Sequence, residues 1–366
     1  MKKHAFIFLA ALFWLAGCSN SHAFRLNKYD RADVAKEEQI SFKIGIALDG
    51  AGSGHDDFFN GIGWEGLAQY VKRYPATKFQ SAAAKGDNDE DRKQAVRELA
   101  LIKSDIIFGF GASYAAAFEE LHMEYPNIKF VLLGEKIEPR GDNLTTVVFH
   151  DQQSSFLAGA AAALTSDTNK VAFLGGKETE ESKRQQLGFE AGIKYANRHL
   201  GASAILKPAV YVGNYFEQKK CRQLAKELYG GGADVIYCCA KMAGMGAMDE
   251  AKLLGEKGKS VWLVGADSDL HRKGYVSDGA SVILTSTMKR LDFAIYEILQ
   301  LYVHGHFPSG QHLDKTMENF GVGLPAKNPN FSEKGMAAIK ELERQLQEGE
   351  LEIPYQVKEL ERFAAS

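Results

Sequence analysis

The sequence predicts an α/β protein built as two doubly wound lobes, and three observations carry that prediction. From Phe42 onward, short apolar runs alternate with helical stretches, the pattern of a parallel sheet covered on both faces. The alternation starts over near Phe156, giving two consecutive runs of similar length. At 366 residues the chain also exceeds what one ordinary core organises.

Before the first strand stands a leader. Lys2 and Lys3 supply its charged part and Ala5 to Ala16 its apolar part, which is too short to span a bilayer comfortably. Leu15-Ala16-Gly17-Cys18 follows and looks like a bacterial lipobox with Cys18 as the lipid-modified first residue. A plain secretory cleavage site beside an incidental cysteine is the competing reading. Residues 1–17 are therefore expected to be a signal peptide, and 18–40, polar and aperiodic, an anchor and flexible spacer.

In the first lobe, strands are expected at Ile44–Leu48, Thr77–Ser81, Asp105–Phe110, Lys129–Leu133 and Thr146–Phe149. Helices are expected at about Phe58–Lys72, Asp89–Ile102 and Tyr114–Met123. In the second, helices are expected at Phe156–Leu164, Lys183–Arg198, Gln218–Tyr229 and Ala247–Glu256. Its strands are expected at Lys170–Leu174, Ala209–Val212, Asp234–Cys239, Val261–Val264 and Val282–Leu284. A helix over Met288–Val303 could rejoin the first lobe; His304–Pro329 reads as irregular and Ser332–Gly349 as a last helix. Lobe I is thus expected at 41–149 with 288–304, and lobe II at 150–287 with 305–366.

Composition narrows the function. The 44 basic and 47 acidic residues give a net charge of −3, or −5 once Lys2 and Lys3 are removed (42 against 47). That balance does not suggest a partner held by phosphate contacts, so no nucleic acid is expected. Cys221, Cys238 and Cys239 are odd in number and lack metal spacing, so they read as small buried residues. The Gly50-Ala51-Gly52-Ser53-Gly54 loop fails the dinucleotide fingerprint, because His55 stands at its third glycine position. No P-loop, H-E-x-x-H, C-x-x-C or G-x-S-x-G occurs. Asp49 with Asp56 is the one conceivable catalytic pair, and the chain is expected not to be an enzyme.

What remains is a set of polar and aromatic residues at strand ends and helix starts, where ligands of open α/β sheets bind. Asp49, Asp56, Phe58, Phe59 and Asn60 follow the first strand. Tyr114 follows the third, Gly134 and Glu135 the fourth, and Phe216 the Ala209–Val212 strand. Asp267 and Asp269 follow Val261–Val264, and Lys289 follows the strand ending near Thr285. Each acid taken singly reads better as a helix cap, and each ring equally well as core. Jointly they describe a cleft with convergent polar groups.

These residues resemble the basic-membrane-protein family of lipid-anchored solute-binding proteins of ABC importers, best known for purine nucleosides. The resemblance rests on the lipobox, Asp49, Asp56 to Asn60, Trp64-Glu65-Gly66-Leu67, Phe156-Leu157-Ala158-Gly159 and Phe189-Glu190-Ala191-Gly192. It continues through Gly232-Ala233-Asp234-Val235-Ile236, Gly265-Ala266-Asp267-Ser268-Asp269 and Leu284-Thr285-Ser286 with Lys289. It implies a type I periplasmic-binding fold closing over its ligand. A ring would stack between Phe59 and Phe216, hydroxyls would be held by Asp267 and Lys289, and the first-loop Asp and Asn would touch ring or sugar. Three departures stand out. Asp56-Asp57-Phe58-Phe59-Asn60 carries an extra ring; Gly134 or Glu135 replaces the carboxylate that reads a purine edge; and Ala240-Lys241-Met242-Ala243-Gly244 replaces a glycine-rich loop. The polyol-holding residues are kept and the ring-reading ones changed, so riboflavin is expected ahead of a purine nucleoside, as a transported ligand rather than a cofactor. A surface adhesin or antigen is the reading from another class. The expected partners are that ligand, ABC permease subunits and the membrane through the anchor only. The body is expected to be a monomer in the periplasm or outside the cell membrane.

Overall fold

The computed structural model describes residues 41–48, 59–138 and 141–365. Strand β1 (Lys43–Leu48) lies inside a six-stranded parallel sheet with β2 (Lys78–Ala83), β3 (Ile106–Phe110), β4 (Lys129–Leu133), β5 (Leu144–Phe149) and β13 (His312–Lys315). Their order is β13-β5-β4-β3-β1-β2. Ile44 pairs with Phe79 on one side and Ile106 on the other. The central strands β3 and β5 are buried along their whole length, while edge strand β2 is mostly exposed. Only strands covered on both faces need unbroken apolar runs, and that is what made them legible.

Helix α1 (Phe59–Arg73) packs beside a late helix, α8 (Leu291–Val303), which returns to the first sheet. Gly66 permits this approach: a Cβ there would stand 2.5 Å from Asp292 Cα. The Tyr70 and Tyr296 rings meet edge to face at 5.4 Å. Helix α2 (Asp89–Leu101) starts at Asn88, whose side chain accepts from the Asp91 amide as an N-cap. Helix α3 (Ala115–Glu124) follows a short 3-10 turn at Ala112–Tyr114.

The second sheet repeats the design with β6 (Lys170–Gly175), β7 (Ile205–Leu206), β8 (Val210–Tyr211), β9 (Val235–Cys239), β10 (Trp262–Gly265) and β11 (Ile283–Ser286). Its order is β11-β10-β9-β6-β7, with β8 also on β6, and all its pairs are parallel. Helices α4 (Asp151–Thr165), α5 (Glu180–His199), α6 (Gln218–Gly230) and α7 (Gly244–Glu256) flank it. Helices α9 (Glu333–Gln347) and α10 (Val357–Ala365) pack on α4 and α5. Cys221, Cys238 and Cys239 are buried and free; Cys238 and Cys239 face different halves of the core. None of the described helices is long and apolar enough to cross a membrane.

The expectation of irregular structure over His304–Pro329 is corrected. β13 extends the first sheet on β5, so His312–Lys315 belongs with that sheet although it falls in the span expected for lobe II. β14 (Val322–Gly323) pairs antiparallel with β12 (Met288–Lys289). β13 and β14 are only four and two residues long and carry no apolar run, so they give little sequence signal. β7 and α10 were likewise not anticipated.

The chain passes between the sheets after β5, after β11 and after β13, and these passages are stitched together. His150 N–H donates to Lys315 O (2.9 Å) and Arg290 N–H to Gly321 O (2.9 Å). Below them, the hydroxyls of Ser155, Tyr237 and Thr287 form a buried chain with 3.0 Å links.

Candidate functional site

Strand β10 ends at Gly265, which is packed so closely that a Cβ there would meet Ser286 Oγ at 2.7 Å. Two residues on, Asp267 adopts a left-handed backbone (φ 68°) and turns a buried carboxylate toward the passage after β11. That passage presents Lys289, whose amide donates to Asp267 O (3.1 Å). Lys289 Nζ stands 3.2 Å from Asp267 Oδ1 and 3.4 Å from Asp151 Oδ2, and it donates a hydrogen bond to Glu181 Oε1. Three carboxylates therefore surround one ammonium, itself only 3% exposed.

Burial opposes the charge on Lys289, but Asp151, Asp267 and Glu181 outweigh it and hold its titration well above the ordinary lysine range. Burial pushes Asp151 up to about 7, helped by the charges of Glu181 and Asp267 and opposed by Lys289. Glu181 also resists burial, yet Lys289 and Lys241 bring it down to about 2. The 3.2 Å approach of Lys289 lacks hydrogen-bond geometry at Asp267 Oδ1. Among the described residues that buried oxygen receives no hydrogen bond. Buried acceptors are nearly always satisfied, so an unsatisfied one calls for an explanation.

Asp151 opens α4 and Glu181 lies in the first turn of α5. Both carboxylates thus sit where the helix dipole favours negative charge. Thr179 and Ser182 close a capping box that fixes the start of α5. The two helices are clamped through glycines. A Cβ at Gly159 would stand 2.1 Å from Phe189 O, at Gly188 2.2 Å from Gln152 O, and at Gly192 2.0 Å from Phe156 O. The Phe-Leu-Ala-Gly and Phe-Glu-Ala-Gly motifs are therefore a packing device that sets two site carboxylates side by side.

The neighbouring wall comes from loops. Asn214 Oδ1 accepts from the amides of Phe216 and Glu217 (2.9 Å each), fixing the turn that leaves the Phe216 ring 66% exposed. Ala243 N–H donates to Tyr215 O (2.8 Å), tying this turn to the loop after β9. In that loop Lys241 is left-handed (φ 47°), and its Nζ lies 4.7 Å from the Tyr215 ring centroid. Burial disfavours charge on Lys241, but Glu181, Tyr215 and Asp267 more than offset it, and Lys241 titrates above ordinary lysine.

The structure therefore brings Asp267 and Lys289 together and places Phe216 on the adjoining loop. Glu135 follows β4 as expected, and its carboxylate accepts from the Lys136 amide (3.0 Å). Tyr114 is fully buried and donates its hydroxyl to Leu48 O (2.6 Å), at the end of β1. Asp49, Asp56, Phe58 and Cys18 lie outside the described residues. Phe59 and Asn60 open α1, whose backbone alone is described there. Sequence reasoning missed Asp151, Glu181, Tyr215 and Lys241 as site residues. The strand-end rule applied to β5 and β9 would have reached Asp151 and Lys241, each two residues past its strand. Glu181 and Tyr215 had no comparable marker.

Comparison with known proteins places these features. Residues 43–357 match the family model described as Bmp, ABC transporter substrate-binding protein PnrA-like. Among relatives, a CD4+ T-cell-stimulating antigen of Listeria monocytogenes is 29% identical over 97% of this chain and 99% of its own length. The ABC transporter nucleoside-binding protein BmpA of Lactococcus lactis shows the same figures. Basic membrane protein B of Borreliella burgdorferi is 28% identical over 89% of this chain and 92% of its own. Among solved structures, an ABC transporter solute-binding protein from Aeropyrum pernix superposes with a TM-score of 0.73. It is 19% identical and covers 89% of this chain and 98% of its own. At that identity the likeness speaks for the fold, which is that of type I periplasmic solute-binding proteins.

Proposed function

The chain belongs to the family of PnrA-like ABC transporter substrate-binding proteins, and from that premise we propose that it captures riboflavin for an ABC importer. The body is exported and tethered by a lipid on Cys18. Capture involves no chemistry: the flavin ring stacks on Phe216 and a partner ring at the start of α1, and the hydroxylated arm reaches Asp267 and Lys289. The ligand-loaded form then docks on the permease.

The observation that carries this reading is the buried, unsatisfied Asp267 Oδ1 beside Lys289 Nζ. A carboxylate acceptor next to an ammonium donor matches a hydroxyl, which is both donor and acceptor. The exposed Phe216 ring on the next loop supplies the flat surface that a heterocycle stacks on. A purine nucleoside is the second reading, favoured by the nucleoside-binding name of the Lactococcus relative.

Titration of the detergent-purified full-length chain with riboflavin, followed by quenching of flavin fluorescence, tests the proposal. Saturable one-to-one quenching is expected, and Phe216→Ala is expected to weaken binding by ~1–3 kcal/mol, by analogy with base–aromatic stacking. Because the ring is solvent-facing, its thermal midpoint should stay that of the wild type. Absence of quenching together with calorimetric binding of inosine would replace riboflavin by a nucleoside.

A further inference from the structure

At the amino edge of the second sheet, a groove of about 820 Å³ lies between α6 and α7. Its walls include Asp234 and Val261, which directly precede β9 and β10, so it is at the other end of the strands from Asp267. The two helices touch at their starts, where a Cβ at Gly246 would stand 1.9 Å from Gln218 O. Leu253, Leu254 and Val261 give the groove an apolar lining, and Leu253 is 37% exposed. Lys219, Arg222 and Lys226 of α6, with Lys257 and Lys259 after α7, give it positive charge.

The two acids that line the groove are already engaged. Glu250 accepts from Arg222 Nε (3.1 Å). Asp234 accepts from Ser166 Oγ (2.5 Å) and from the amides of Asp167 (2.6 Å) and Thr168 (2.9 Å). Lys219, Lys226, Lys257 and Lys259 are exposed, and among the described residues none of them enters an ion pair. Helix α6 also arranges its charge against its own stability. Lys219, Arg222 and Lys226 follow one another at helical spacing on one face, where like charges repel. The first turn holds no acid but Lys219 and Lys220, beside the positive end of the helix dipole. In a chain of net charge −3, this unpaired positive rim around an apolar lining is a local exception, and a broken local rule is expected at a functional surface.

We infer that this groove docks an acidic peptide segment of a partner protein, seating one apolar side chain on Leu253 and Leu254 while carboxylates meet Lys219, Lys226, Lys257 and Lys259. Complementary charge steers the encounter and fixes register, and the apolar seat holds what arrives. A recess between helices suits a peptide better than a bilayer, whose surface meets a flat or convex face. A single-stranded nucleic acid uses exposed rings to stack on, whereas Tyr229, which lines the groove, is buried and donates its hydroxyl to Trp262 O (2.9 Å). The inference does not depend on which solute the protein carries, because the groove and the Asp267–Lys289 site are at opposite edges of the sheet.

Fluorescence anisotropy on the full-length chain tests it with three labelled probes: a glutamate decapeptide carrying one central leucine, the all-glutamate decapeptide, and a lysine decapeptide with the same leucine. The acidic peptide with leucine is expected to bind one-to-one and about tenfold more tightly than the all-glutamate one, the scale of one buried leucine. The lysine peptide is expected not to bind. Lys219→Glu and Lys226→Glu should each slow association and weaken its salt dependence. Both should also melt at or above the wild-type temperature, because they relieve repulsion along α6. Affinity falling while stability holds or rises is a signature that a merely structural lysine would not give. Leu253→Ser should abolish the preference for the leucine. The inference is overturned if the acidic peptide does not bind, or if both charge-reversal variants bind it as the wild type does. It is equally overturned if those variants lose binding of a soluble short-chain phosphatidylglycerol and not of the peptide, which would assign the groove to a lipid headgroup.

Discussion

The two sheets finish their strands in different ways. After β3 and β4 of the first sheet, the backbone turns left-handed at Gly111 (φ 73°) and Gly134 (φ 92°), residues for which such angles carry no steric penalty. After β9 and β10 of the second, the left-handed turns fall on Lys241 (φ 47°) and Asp267 (φ 68°). Positive φ thus falls on bare backbone on one side and on charged side chains on the other. The second sheet accepts positive φ at residues that carry charge. The second sheet thus ends in a charged wall and the first in a smoother one.

Removing the cation at the centre of the charged wall is the harshest way to break this contrast. Lys289→Met leaves Asp151, Glu181 and Asp267 facing one another in a buried space, and should destabilise the chain by ~3–5 kcal/mol. Urea unfolding at pH 8 measures it, and the loss should shrink toward pH 5 as the stranded carboxylates take up protons.

Titrating the wall without breaking it comes next. The Asp151 carboxyl is raised to about 7, so between about pH 4 and 7 the native state holds a proton that the unfolded chain has released. Stability should therefore fall as pH rises through that window, by up to ~4 kcal/mol, since each tenfold change in proton affinity on folding is worth ~1.4 kcal/mol. Glu181, lowered to about 2, works the other way: its contribution is present above about 4.5 and is lost as pH falls toward 2. Thermal midpoints across pH 3 to 8 should peak between these windows, and Asp151→Asn should flatten the alkaline side alone.

The mildest test acts on the smooth wall. Gly111 sits at φ 73°, ψ −179°, a region almost confined to glycine, with nothing within 4 Å of where a Cβ would stand. Gly111→Ala should therefore cost ~1–3 kcal/mol through the backbone alone. Chemical denaturation would show the loss, and an unchanged midpoint would erase the distinction between the walls.

Legibility followed the same divide. β3, β4 and β9 were plain because strands buried on both faces must be apolar throughout. β13 and β14 were missed because an edge or ribbon strand needs no such run. Asp267 and Lys289 were found from strand ends and resemblance, and they meet at 3.2 Å. Asp151 and Glu181 escaped notice because acids in the first turn of a helix look like ordinary helix starts. Their role emerges only when folding brings residues 138 positions apart (151 to 289) to 3.4 Å. Sequence likewise shows Tyr114 as a polar aromatic after a strand, not that its hydroxyl is engaged by Leu48 O.

The glycine clamp between α4 and α5 has a consequence for how such a protein can change. Because Gly159, Gly188 and Gly192 lock two backbones in contact, the carboxylates those helices carry form a chassis that tolerates little adjustment. In the loop after β8, by contrast, Phe216 stands 66% exposed. Under the proposed function, drift toward a new cargo is thereby channelled into exposed loop positions, while the helix-borne carboxylates stay in place.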